Sequence, residues 1–335
     1  MSTPPPPPLQ LDLCTVLSES KRIINAHSRH FLALSVLFLL PLSFSLTVFP
    51  TLQLLLLSHS STLNSKIFVS LPPDGDDQSS PFPSTTTLLL SLSFSLFFLL
   101  FSLLATASIT YSVFHGFYGR PVKLLSAVKS ALSRFFPLLL TVLFLQIISI
   151  GVVFLFGSLY FLVVEAVQLA GFRLEPDSLF VAALTGVVTF VVALSLLYLQ
   201  LVWCLAPVVV VVEGSWGMQP LKRSYYLMGG MRRVALHLLL FFGFFTGVLL
   251  WASSGFGSLI DGWDWAVVVQ IVVTSALLVL LFLYSVAAHA VLYMYCKAAR
   301  GELAWEIAEE FAREYVSLPF DDGKVPHLVS VAYYP

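Results

Sequence analysis

The stretch FFPLLLTVLFLQIISIGVVFLFGSLYFLVV, residues 135–164, contains no Asp, Glu, Lys or Arg. A helix needs roughly 20 consecutive apolar residues to cross a hydrocarbon core of about 30 Å. This run is long enough to do so with residues to spare. Five further runs of the same kind lie at about 31–57, 88–114, 179–212, 234–256 and 266–293. Six such segments in one chain predict an all-α integral membrane protein with six transmembrane helices. Composition agrees. Apolar residues make up 58% of the chain and charged residues 10%, against about 25% charged in soluble domains.

Lysine and arginine alternate between the loops. The segment before the first span carries Lys21, Arg22 and Arg29, and the second loop carries Arg120, Lys123, Lys129 and Arg134. The fourth loop carries Lys222, Arg223, Arg232 and Arg233, and the tail carries Lys297, Arg300, Arg313 and Lys324. Only Lys66 and Arg173 fall in the other loops. By the positive-inside rule both termini are expected in the cytoplasm. The compartment is expected to be the endomembrane system or the plasma membrane. The expected organisation is a cytoplasmic segment over 1–30, a transmembrane domain over 31–296 and a cytoplasmic tail over 297–335. The start of the chain, with Pro4 to Pro8 and no basic region, does not read as a cleaved signal.

The basic segments repeat. Pro121, Lys123 and Arg134 stand 99 residues before Pro220, Lys222 and Arg233, and Ser28-Arg29 and Phe31 stand 105 before Ser133-Arg134 and Phe136. Three units are expected, each a cytoplasmic amphipathic helix followed by a transmembrane hairpin. In the second unit Leu124, Val128, Ala131 and Phe135 would share one face. In the third, Leu221, Tyr225 and Met228 would line up. Such helices lie in the interface with the basic side toward anionic headgroups, or they serve as elbows that set hairpin angles. Glu213, Lys222, Arg223, Arg134 and Arg233 are the candidate structural or lipid-contacting residues. Glu213 could clasp either Lys222 or Arg223.

The run Val208 to Glu213, followed by Gly214-Ser215-Trp216, Leu221-Lys222-Arg223-Ser224 and Leu227-Met228-Gly229-Gly230, resembles a recurring bacterial pattern. It is similar to the membrane domain attached to some glycerophosphodiester phosphodiesterases. The whole architecture resembles a plant family of uncharacterised six-span transmembrane proteins. The resemblance implies an accessory membrane module without the phosphodiesterase domain.

Chemistry-bearing motifs are scarce. Walker, Rossmann, zinc-protease and nucleophile-elbow patterns are missing from the sequence. The three cysteines, Cys14, Cys204 and Cys296, form no Cys-x-x-Cys pair. Asp74-Gly75-Asp76-Asp77 lacks the ligand spacing of a calcium loop. No catalytic residue, cofactor or metal is therefore expected, and the net charge of −1 gives no nucleic-acid signature. Gln146, Gln200 and Gln270 are the polar residues deepest in the spans. Gly243 and Gly247 form a Gly-xxx-Gly that reads as close helix packing within the chain, or as a dimer contact. Trp305, Ala308, Ala312 and Tyr315 would share a helical face in the acidic tail, which is either a surface helix or a docking segment for a protein partner. The expected function is that of a non-enzymatic protein that organises or senses lipid, or supports a partner complex. The alternative is a transporter of a lipid-like or small neutral solute.

Overall fold

The computed structural model describes residues 12–49, 52, 85–120, 122–169, 179–257 and 265–303. All regular structure among them is helical: α1 (Leu13–Ala26), α2 (Ser28–Phe49), α3 (Thr85–Phe117), α4 (Leu124–Leu169), α5 (Leu179–Trp203), α6 (Ala206–Glu213), α7 (Gln219–Leu227), α8 (Arg232–Gly257) and α9 (Trp265–Ala299). Six helical stretches are long and apolar enough to cross a membrane: α2, α3, α4, α5 with α6, α8 and α9. The expected tail face from Trp305, the Asp74–Asp77 run and the proline run at 4–8 lie outside the described residues.

Why helices and not strands follows from the solvent. Inside lipid every backbone N–H and C=O must be satisfied within the protein, and a helix does this within its own segment. The outer surface is correspondingly apolar, with Leu96, Phe154, Phe161 and Leu162 all well exposed. Trp251 and Trp265, near the ends of α8 and α9, are exposed too, as amphipathic rings at a headgroup level would be.

The chain divides into two units, Met1–Tyr293 and Met294–Pro335. In the first, α3 packs on α4 and both pack on α6. Their shared core contains Leu103, Ala107, Ala131, Leu138, Val210 and Val211. The helix α1 lies against α3 and α8. Ser20, which interrupts its apolar stripe, is buried without cost because its hydroxyl donates to the Val16 carbonyl at 2.7 Å. Thr47 of α2 and Ser275 of α9 share a buried hydrogen bond of 2.9 Å. In the second unit the described residues are the end of α9, a turn with Gly301 at φ 76°, and the start of a further helical turn.

Prolines mark local departures. Ser35–Leu39 is a π-helical turn inside α2, with the Leu40 N–H reaching back to the Ser35 carbonyl. Pro41 follows at once; its ring would crowd the carbonyl four residues before it, and a widened turn relieves that crowding. Pro207 ends α5, so Cys204 and Leu205 form a turn before α6 begins.

Two expectations about the basic segments are corrected. The second unit has no separate amphipathic helix, because Leu124–Leu169 is one continuous helix of 46 residues. Nothing between Lys123 and Pro137 breaks it: the segment is Leu, Ala, Ser, Val, Lys, Arg and Phe without glycine. In the third unit Tyr225 does not share a face with Leu221 and Met228. Leu221, Ser224, Leu227 and Met228 are buried, and Tyr225 is exposed, with the Arg232 guanidinium 5.5 Å above its ring. A buried hydrogen bond from Ser224 turns the helix that way, as the next section describes.

Candidate functional site

The most organised polar cluster forms where α6 ends. α6 terminates at Gly214, which takes φ 71° and donates its N–H to the Val210 carbonyl. The left-handed conformation suits glycine, whose missing Cβ removes the steric cost. This end of a helix carries the negative pole of its backbone dipoles. Cations gather there.

Arg223 of α7 donates from Nε to both oxygens of Glu213, at 3.1 and 3.3 Å. The Tyr293 hydroxyl of α9 donates to Glu213 Oε1 at 2.8 Å. The side chains of Arg223 and Glu213 are 29% and 24% exposed, so the ion pair is partly screened and worth about 1 kcal/mol. Arg134 of α4 lies against the same turn: a Cβ added at Gly214 would collide with its Nη1. Gly214 therefore makes room for a guanidinium as well as for the turn.

A second bond fixes α7 below this cluster. The break before Pro207 frees carbonyls at the end of α5, since a proline has no N–H to offer. The buried Ser224 hydroxyl donates to one of them, Val202, at 2.8 Å. The Arg223-Ser224 pair thus has two jobs on adjacent residues. Arg223 holds the end of α6 and Ser224 caps the end of α5.

Three of the five residues singled out in the sequence therefore meet or adjoin. Glu213 and Arg223 bond, and Arg134 stands beside them. Lys222 is exposed and makes no ion pair among the described residues, so of the two expected partners of Glu213 the guanidinium is the one that pairs. Arg233 is exposed at the start of α8. The end of α6, α7 and the start of α8 are contiguous in the chain, and Arg134 is tied to them through Gly214. All five lie at one end of the bundle.

Sequence reasoning missed Tyr293 and the role of Ser224. Tyr293 is 80 residues from Glu213, and a tyrosine in a span carries no local signal of its partner. Ser224 was within reach, because a serine one helical turn from Pro220, facing a broken helix, is a candidate cap.

The deep glutamines do not assemble. Gln146 is exposed on α4, and Gln270 is half-buried on α9. Gln200 lines a cavity of about 600 Å³ whose wall also holds Gly243 and Gly247. The expected close packing at this Gly-xxx-Gly is not seen: a Cβ at either glycine would meet nothing within 4 Å. The small residues widen a space and do not close a helix pair. Among the described residues no group of three or more His, Cys, Asp or Glu could hold a metal ion.

Comparison with known families finds a match. The model for a family described as "Domain of unknown function (DUF8558)" covers residues 8–322. The chain belongs to this family. No curated protein and no solved structure matches it. The DUF8558 match takes in all six candidate spans and the Glu213 cluster, so the spans and the cluster lie within one family unit.

Proposed function

We propose that this DUF8558 protein is a non-enzymatic membrane protein that organises or senses lipid, or supports a partner complex. It would hold its basic end against anionic headgroups. The observation that carries the reading is the Glu213 cluster. One carboxylate neutralises one of the cations at this end and leaves Lys222 and Arg233 exposed, without an ion pair among the described residues. Each such cation near an anionic leaflet contributes about 1 kcal/mol of attraction. The burial of Leu221, Leu227 and Met228 supports the elbow reading of α7, a helix packed on protein with only its polar side free. The distribution of lysine and arginine supports cytoplasmic termini, and the order of basic segments and spans supports three helix-plus-hairpin units, the second with its helix fused to the span. The C-terminal tail would offer a protein partner its docking segment. A membrane module related to plant six-span proteins, and distantly to the bacterial phosphodiesterase fusions, fits this reading.

The test is reconstitution into nanodiscs of zwitterionic lipid with and without an anionic lipid, with analysis of the annular lipid. Enrichment of the anionic lipid that falls in Lys222→Gln/Arg233→Gln is expected. Equal lipid composition for both proteins would overturn the headgroup role. A tag at residue 75 that reacts from the cytosol would overturn the orientation. The transporter reading draws on the Gln200 cavity alone, and flux of a neutral solute into vesicles would favour it.

A further inference from the structure

The cavity beside Gln200, itself an exposed side chain, has a buried polar group on its wall. Thr110 stands on its wall, fully buried, and its hydroxyl has no hydrogen-bond partner among the described residues. The Gln200 amide makes no hydrogen bond among the described residues. His289, also on the wall, has its Nδ1 2.7 Å from the Ser285 carbonyl. A carbonyl only accepts, so Nδ1 carries the proton and Nε2 is left as an acceptor. Three groups from three helices thus lack partners around one space.

Thr106, Thr246, Ser285 and Cys204 add small polar groups to the wall; most of the remainder is apolar, with Phe242 and Phe282 among its side chains, and no lining residue is Asp, Glu, Lys or Arg. Gly243 and Gly247 supply the width, each with open space where a Cβ would be. A volume of about 600 Å³ falls in the range of small-molecule sites, about 300–1,000 Å³. Thr110 and His289 lie seven residues before the end of α3 and ten before the end of α9. At 1.5 Å per residue this puts them roughly 10–15 Å from those helix ends, within the apolar part of the spans.

We propose that this cavity is a binding site for an uncharged amphiphile with a hydroxyl or carbonyl group on a single apolar body, such as a monoacylglycerol. Hydrocarbon fills the Phe- and Leu-lined space beside Gly243 and Gly247. The ligand's oxygen accepts from the Thr110 hydroxyl or the Gln200 amide, and a ligand hydroxyl also donates to His289 Nε2. A charged headgroup finds no counter-ion on the wall and is excluded by the cost of burying an unpaired charge. The inference goes beyond the proposed function and depends neither on the Glu213 cluster nor on orientation.

The experiment uses the full chain in zwitterionic nanodiscs and a monoacylglycerol that carries a photoactivatable diazirine and an alkyne tag. Saturable labelling is expected on peptides of α3, α5, α8 and α9, competed by unlabelled monoacylglycerol and not by lysophosphatidylcholine. Gly243→Leu/Gly247→Leu fills the space and should reduce labelling about tenfold, whereas Gly186→Leu, another helical glycine with open space around it, should leave it unchanged. Thr110→Val should weaken competition about five- to tenfold through the lost hydrogen bond. The same change should raise the melting temperature of the ligand-free protein, because it removes a buried hydroxyl without a partner. A purely structural threonine would not show those opposite signs. Labelling that is unsaturable, or equally competed by the charged lipid, overturns the proposal on the native chain alone, whatever the variants do. Labelling unaffected in a folded Gly243→Leu/Gly247→Leu protein overturns it as well.

Discussion

The segments Lys123–Arg134 and Lys222–Arg233 begin and end with matching residues and precede a span, yet one is straight and the other is folded. The first runs without interruption into α4. The second forms the short helix α7, turns at Met228–Met231 and starts α8 anew. The residues that decide this stand at matching positions. Where the folded segment has Gly229-Gly230, with Gly230 at φ 107°, the straight one has Ser130-Ala131. Alanine is the best helix former and glycine among the poorest. The second difference is Leu125 against Ser224. Leu125 is 80% exposed, whereas Ser224 is fully buried on the Val202 carbonyl. A turn needs a residue that permits it and a contact that holds it, and only the later segment has both. The same basic signature therefore serves as a straight extension of a span in one place and as a strap across helix ends in the other.

The largest effect is expected from importing the straight segment's residue at the buried contact. Ser224→Leu overfills a fully buried position and leaves the Val202 carbonyl unpaired, with a loss of about 3 kcal/mol or more. It should appear as a large drop in the melting temperature of detergent-purified protein. Next comes Gly229→Ser/Gly230→Ala, which imposes the straight segment's turn residues. A side chain at φ 107° costs about 1–2 kcal/mol, and nothing lies within 4 Å of the added Cβ at Gly230, so at Gly230 the loss is backbone strain alone. An unchanged melting temperature would mean that the contact of Ser224, and not the glycine pair, holds the turn.

Glu213→Gln removes the ion pair with Arg223 while retaining an acceptor for Tyr293, and should cost about 1 kcal/mol. High salt should narrow the gap between variant and parent, since the lost term is the screened one. Tyr293→Phe removes one hydrogen bond to Glu213, again about 1 kcal/mol, but with no salt dependence; salt sensitivity in that variant would show that the tyrosine organises the charges as well. Leu125→Ser, the reverse exchange in the straight segment, should stay within about 0.5 kcal/mol because the position is exposed. A large effect there would end the comparison by showing that Leu125 has a hidden contact.

Part of this pattern was legible in advance. The offset of 99 residues exposed the kinship of the two segments, and the charge alternation set them at one end of the bundle. Glu213 stood out as the acidic residue that closes an apolar run, and its pairing with α7 was foreseen as a choice between Lys222 and Arg223. The choice itself depends on where a nine-residue helix points its cations, and that is set by the buried side at Leu221, Ser224 and Leu227. An apolar periodicity through Leu221, Tyr225 and Met228 placed Tyr225 on the wrong side, because a buried hydroxyl outweighed the stripe. Of the two readings of Gly243 and Gly247, packing within the chain failed for a related reason: small residues allow close approach, but whether a neighbour comes close depends on helices elsewhere in the chain.

What the sequence determined by itself is the set of six spans. That is a one-dimensional property: a run of apolar residues long enough for the hydrocarbon core. Only the tertiary structure decided the partners. Tyr293 reaches Glu213 across 80 residues, Arg134 fits against a glycine that has no side chain to block it, and Thr110 is left without a partner beside a cavity. Such outcomes depend on the relative placement of helices distant in the chain, and local spacing carries no information about that.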